Sequence, residues 1–399
     1  MFKKDNFFKS YFGNSSNYNK NLKKTKKIFN HFLEDLKSNK IPLLNTFQKN
    51  YKLDFSKSII KKFSKYDNFV VIGMGGSILG TKTIYSFFKR KIKKKFFFFD
   101  NLDLNLYIDY KKIKNPCFII VSKSGNTLET AANLGAIFSK NLLKNKLIII
   151  TEIKDNFLMD IANKYNAEII EHKEFIGGRY SVLSETGMVP ASLMGLDSKK
   201  FKNLKKLIKN KKFTSSLIHN VATIYTLNLS GFNNSIILNY DSDLNDLSYW
   251  YQQLTAESLG KKSKGITPAV SFCPRDHHSL LQLYLDGPKD KFFTFFNSTK
   301  KEKGPKISRD IALGKVSFLK NKNLKFVINS QCDATKNVFK LKKIPFRQIN
   351  LDKKSESELG EVFTFFVLET ILLSRLMNIN PFDQPAVELI KTETKKFLR

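Results

Sequence analysis

Acidic residues are scarce in this chain: 35 Asp and Glu stand against 69 Lys and Arg in 399 residues, a formal charge of +34. Such an excess invites a nucleic-acid partner. It is mostly lysine, however, spread along the whole chain with abundant Asn, Phe and Ile. Dedicated nucleic-acid surfaces concentrate Arg beside exposed aromatics, and no module of that kind appears. The pattern reads as a drift in residue usage that favours anionic substrates; no specific nucleic-acid partner is expected, only weak, salt-labile binding. Cysteine is nearly absent. Cys117, Cys273 and Cys332 are widely spaced and odd in number, which argues against a disulfide framework or a metal site and for reduced thiols in a cytoplasmic protein. Long apolar runs are missing too: the longest, Val362 to Met377, is broken by Glu369 and Arg375, so it reads as a buried helix and no membrane span is expected. Met1–Asn6 lacks the apolar core and cleavage site of a signal peptide.

What is present suits a globular enzyme. Apolar residues make up 42% of the chain, and its length predicts two domains. Short apolar runs at Phe69–Ile72, Phe96–Phe99, Phe118–Val121, Leu147–Ile150 and Glu168–Ile170 alternate with helical patterns. A second set follows at Ser235–Asn239, Phe292–Phe296, Lys325–Ile328 and Phe346–Ile349. Strands at this spacing imply right-handed βαβ crossovers and parallel sheets covered on both faces. The expected fold class is α/β, with two α/β/α sandwich units and helical segments at both termini. The division read from the chain is a helical segment at 1–50, a first unit at 51–198, a lysine-dense junction at 199–214, a second unit at 215–375 and a helical tail at 376–399. In open sheets of this kind, ligands sit at the carboxyl ends of the strands.

The loops at those ends carry the chemistry. Phe118–Val121 empties into Ser122-Lys123-Ser124-Gly125-Asn126-Thr127, with a helical pattern beginning at Leu128. Free backbone N–H groups, short hydroxyls and a positive helix end make a phosphate site. No Gly-Lys-Ser/Thr nucleotide loop occurs, so the guest is a small phosphorylated metabolite rather than a nucleotide. Taken alone, the turn is better read as an ordinary helix cap. Gly73-Met74-Gly75-Gly76-Ser77 is a second glycine turn between strand and helix, whose spacing fails as a dinucleotide fingerprint. Gly177-Gly178-Arg179-Tyr180-Ser181 sets an arginine beyond two glycines, able to stabilise negative charge in a cavity. Gln253 and Glu257 stand four residues apart on one helix face, where a carboxylate can act as a general base. His277 and His278 point about 100° apart on a helix, so one at most serves a given site. Gln384 and Lys391 lie two turns apart on the last helix.

Together, and in this order from about Val70 to Phe397, these segments resemble the glucose-6-phosphate isomerase (phosphoglucose isomerase) family. The resemblance implies two sugar-isomerase-type domains and reversible isomerisation of glucose 6-phosphate and fructose 6-phosphate in glycolysis and gluconeogenesis, with no cofactor and no metal. It assigns the sugar phosphate to Ser77, Ser122, Lys123, Ser124 and Thr127, with Gly178 also substrate-binding and Gly76 in a supporting role. Glu257 becomes the base moving a proton between C2 and C1, and Arg179 the stabiliser of the enediolate. His278 and Lys391 open the sugar ring, Glu129 orients His278, and Gln253 and Gln384 bind hydroxyls. His278 is expected from the neighbouring subunit, which implies a homodimer. Glu185 and Ala386 depart from the family pattern. The alternatives are an enzyme that also accepts mannose 6-phosphate and a non-catalytic sugar-phosphate-binding regulator.

Overall fold

The structure, a computed structural model, describes residues 7–110, 112–137, 146–298 and 304–399; Met1–Asn6, read above as lacking a signal peptide, lie outside them. Five strands, β1 (Asn68–Gly73), β2 (Lys95–Phe99), β3 (Cys117–Val121), β4 (Leu147–Thr151) and β5 (Glu168–Glu171), form a wholly parallel sheet in the order β2-β1-β3-β4-β5. Four more, β6 (Asn234–Asn239), β7 (Thr267–Phe272), β8 (Lys291–Asn297) and β9 (Phe346–Asn350), form a second parallel sheet in the order β7-β6-β8-β9.

Near-continuous apolar runs are what a parallel sheet buried on both faces demands. In β1, Phe69 and Val71 enter one core while Val70 and Ile72 enter another on the opposite face. The first of these cores is shared with the second sheet through Ile237, Phe292 and Ile349. Helix Glu356–Met377 runs through it, buried along most of its length. It carries the ion pair between Arg347 and Glu369, both almost wholly excluded from water. The N-terminal helix Ser16–Lys37 packs on Lys211–Leu229 and Glu356–Met377, and helix Asn245–Leu259 packs on Gly76–Phe88 across the two sheets' territories.

One expected strand is corrected, and one strand absent from the expectation is added. Lys325–Ile328 opens the helix Leu324–Leu341, whose start is fixed by the Asn323 side chain accepting from the Lys325 amide at 2.7 Å; a cap outweighs a short apolar run. Strand β7 is not among the expected strands, and Pro268 lies within it. It lies at the sheet edge, where a missing N–H costs no ladder hydrogen bond.

Candidate functional site

The first sheet's order reverses between β1 and β3, a topological switch point of the type that receives ligands in doubly wound folds. Gly73 pairs with Val121, so the 74–77 and 122–127 turns leave adjacent strands side by side. A β-carbon on Gly76 would stand 2.2 Å from the Gly178 carbonyl carbon and 2.4 Å from the Arg179 nitrogen. The two glycine turns are therefore in backbone contact, and this places Arg179 beside the start of helix Gly76–Phe88. Gly125, at φ +71°, sits where a β-carbon would overlap the Asn156 side chain at 1.9 Å. Asn156 in turn donates to the carbonyls of Glu152 (3.1 Å) and Lys154 (2.9 Å), so the turn rests on a built support.

Within that turn the Ser122 and Thr127 hydroxyls share a hydrogen bond at 2.8 Å. Lys123 donates to the Glu174 carbonyl at 2.6 Å and lies 3.7 Å from Glu152. Ser124 is exposed, Ser77 is buried, and Glu129 occupies the first turn of helix Leu128–Ile137.

Arg179 is only 2% exposed and uses its whole fork. Nε donates to Ser258 Oγ at 2.8 Å; Nη1 donates to Glu257 Oε2 at 3.1 Å and to Gln384 Oε1 at 2.8 Å; Nη2 donates to the carbonyls of Asp383 (3.0 Å) and Pro381. The other Glu257 oxygen accepts from Gln253 Nε2 at 2.7 Å. A β-carbon on Gly75 would stand 2.6 Å from that same amide nitrogen, which ties the Glu257 face to the first glycine turn. Burial raises the Tyr180 phenol, whose hydroxyl bonds Ser258 and the Pro381 carbonyl. Glu257 itself remains 34% exposed along its side chain and opens onto a cavity of about 700 Å³ lined by Gly260, Lys261, Asn380, Gln384 and Ala386 among others. Lys261 bridges to Asp383 at 2.8 Å and closes one wall.

The structure thus gathers Arg179, Gln253, Glu257 and Gln384 in one contact network. It does not gather His278, Lys391 and Glu129. His278 is exposed at the end of a short turn after β7, whereas its neighbour His277 turns inward to Tyr240 Oη at 2.6 Å. No contact among the described residues joins Glu129 to His278. Lys391 is 63% exposed and pairs with Glu388 at 2.7 Å. It stands one turn beyond Val387, the last residue lining the cavity, and so about 6 Å further along the axis. Sequence reasoning missed Ser258, Tyr180 and the Pro381 and Asp383 carbonyls. Ser258 adjoins Glu257 in the chain and Tyr180 adjoins Arg179, but a backbone carbonyl leaves no mark in a sequence. Glu185 is buried and accepts from the Asp54 amide at 3.0 Å; it holds the 51–54 strap rather than reaching the cavity. Among the described residues no His, Cys, Asp or Glu cluster of three or more could hold a metal ion, and no helix is long and apolar enough to cross a membrane.

Comparison with known proteins gives a consistent picture. A family model described as phosphoglucose isomerase matches residues 60–273. The glucose-6-phosphate isomerase of Methanocaldococcus jannaschii is 35% identical over 346 residues, 82% of this chain and 83% of that protein. That of Campylobacter jejuni is 30% identical over 362 residues, covering 87% and 89%. In fold, a hypothetical protein from Thermus thermophilus superposes with a TM-score of 0.83 at 22% identity over the full length of both chains. A glucose-6-phosphate isomerase from Chlamydia trachomatis gives 0.72 at 19% identity, over 89% of this chain and 78% of the other.

Proposed function

Because this chain belongs to the phosphoglucose isomerase family, we propose that it interconverts glucose 6-phosphate and fructose 6-phosphate through an enediolate. The observation that carries this reading is the contact of Arg179 Nη1 with Glu257 Oε2 at 3.1 Å, with Gln253 holding the second oxygen. Moving a proton between C2 and C1 needs a placed base and a cation beside the oxyanion that develops. Glu257 is the base and Arg179 the cation. Ser77, Ser122, Lys123, Ser124 and Thr127 hold the phosphate at the switch point, where adjacent strands deliver both turns. Gln253 and Gln384 take sugar hydroxyls, with Gly76 and Gly178 keeping the approach narrow. Assaying purified protein with glucose 6-phosphate, fructose 6-phosphate and mannose 6-phosphate tests the activity and its breadth. Absence of turnover on all three would leave only sugar-phosphate binding.

His278 and Lys391 open the ring, the histidine coming from a second copy. Two features support a homodimer. His278 is exposed away from the Glu257 network, with no hydrogen bond of its own among the described residues. The helix Val387–Phe397 buries no residue and presents Leu389, Ile390 and Phe397 to solvent. Co-refolding Glu257→Gln with His278→Ala, each inactive alone, tests the sharing. Random pairing restores one intact site in every mixed dimer, about a quarter of full activity. No recovery places both residues in one chain's site.

A further inference from the structure

We propose that the groove between helices Ser16–Lys37 and Lys211–Leu229 binds a linear chain of phosphates, the chemistry shared by inorganic oligophosphate and the triphosphate tail of a nucleotide. The groove encloses about 720 Å³, with Lys20, Lys23, Lys24 and Lys27 on one wall and Tyr225 and Ser230 on the other. The helical rise sets these four lysines within about 10 Å of one another along the axis. Among the described residues no carboxylate lines the groove. The helix's own acids, Glu34 and Asp35, lie beyond it, and they serve His31, Lys40 and Arg375. None of the four lysines forms an ion pair among the described residues.

That arrangement works against the helix by itself. Lys20, Lys24 and Lys27 stand at i, i+4 and i+7 and repel one another. The first turn has no acidic residue to offset them. A solvated charged face carries interspersed carboxylates, and here they are missing. A ligand bearing several adjacent negative charges relieves all of this at once, whereas a single phosphate reaches only part of the row. The walls are already set: Asn21 donates to Thr226 Oγ1 at 3.0 Å, Tyr18 shares a bond with His219 at 2.9 Å, and the Lys24 ammonium stands 5.2 Å from the Tyr225 ring centroid.

Isothermal titration calorimetry of the full chain tests this, with excess fructose 6-phosphate occupying the isomerase cleft. The probes are tripolyphosphate, ATP, orthophosphate and a single-stranded oligonucleotide. The variant K20E/K24E/K27E is compared with K205E/K206E/K209E, which makes the same charge change on another exposed helix face. The expected result is tripolyphosphate or ATP binding that weakens about tenfold or more in the first variant, holds within about twofold in the second, and fades with salt, isomerase activity being unchanged in both. K20Q/K24Q/K27Q repeats the loss without charge reversal. Tighter ATP than tripolyphosphate assigns the site to a nucleotide stacking on Tyr225; the reverse assigns it to free oligophosphate. Equal losses in the two Glu variants, competition by fructose 6-phosphate, tighter oligonucleotide than phosphate-chain binding, or no binding each overturn the proposal.

Discussion

Replacing Arg179 with lysine keeps the positive charge and removes the geometry. The guanidinium reaches five acceptors from three nitrogens: Ser258, Glu257, Gln384 and the carbonyls of Pro381 and Asp383. A lysine ammonium has three donors on one nitrogen, so at least two of these five contacts are lost; Ser258 and the Pro381 carbonyl keep Tyr180, Glu257 keeps Gln253, and Asp383 and Gln384 reach solvent. A net intramolecular hydrogen bond contributes about 0.5–1.5 kcal/mol, which puts the structural loss for two of them at about 1–3 kcal/mol. Catalysis suffers separately. Losing one oriented donor to a developing oxyanion typically costs about 10²–10³ in kcat. Arg179→Lys is therefore expected to lower kcat by about 10²–10³, with a smaller rise in KM through the loosened Gln384. A coupled assay of fructose 6-phosphate conversion measures the first effect, and a chemical denaturation midpoint the second. Activity within about threefold of the unsubstituted protein would show that charge alone suffices, and the argument from the fork would fail.

Two further outcomes concern stability. Glu369→Gln leaves the buried Arg347 guanidinium without its counter-charge, although Thr294 and Tyr251 still contact it; denaturant titration should show a loss of about 3–5 kcal/mol, and an unchanged midpoint would contradict it. His172 is buried, its Nδ1 bonded to the Lys173 carbonyl and its Nε2 unpartnered, and burial pushes its pKa down to about 4. The unfolded chain binds the proton near the ordinary histidine value while the folded one does not, so this group removes stability as pH falls from about 6.5 toward 4. Between pH 7 and pH 5 the loss attributable to it is about 2 kcal/mol; His172→Gln should flatten that slope, and parallel curves would remove His172 as the cause.

The first sheet was legible chiefly because its central strands are buried on both faces and so read as uninterrupted apolar runs, Phe69–Ile72, Phe118–Val121 and Leu147–Ile150, with the partly exposed edge strands β2 and β5 placed by their spacing beside them. The second sheet was less so. Its edge strand carries Pro268, and Lys325–Ile328 mimics a strand until the Asn323 cap is recognised. At the site, Arg179, Gln253, Glu257 and Gln384 were named from local patterns, and the fold joins them across more than 200 residues. What could not be read is how the guanidinium is held, since two of its acceptors are main-chain carbonyls. Nor do contacts among the described residues join His278, Lys391 and Glu129, because spacing along the chain does not say which way side chains on an exposed turn and an exposed helix face.

The most direct test of the proposed mechanism follows fructose 6-phosphate in deuterated water with Glu257→Gln. The substituted enzyme should bind the sugar phosphate with near-normal affinity, yet show turnover and C1 hydrogen exchange lowered by at least about 10²–10⁴. Exchange and isomerisation at the unsubstituted rate would mean that another group takes the proton, and that the Arg179–Glu257 pair is not the catalytic centre.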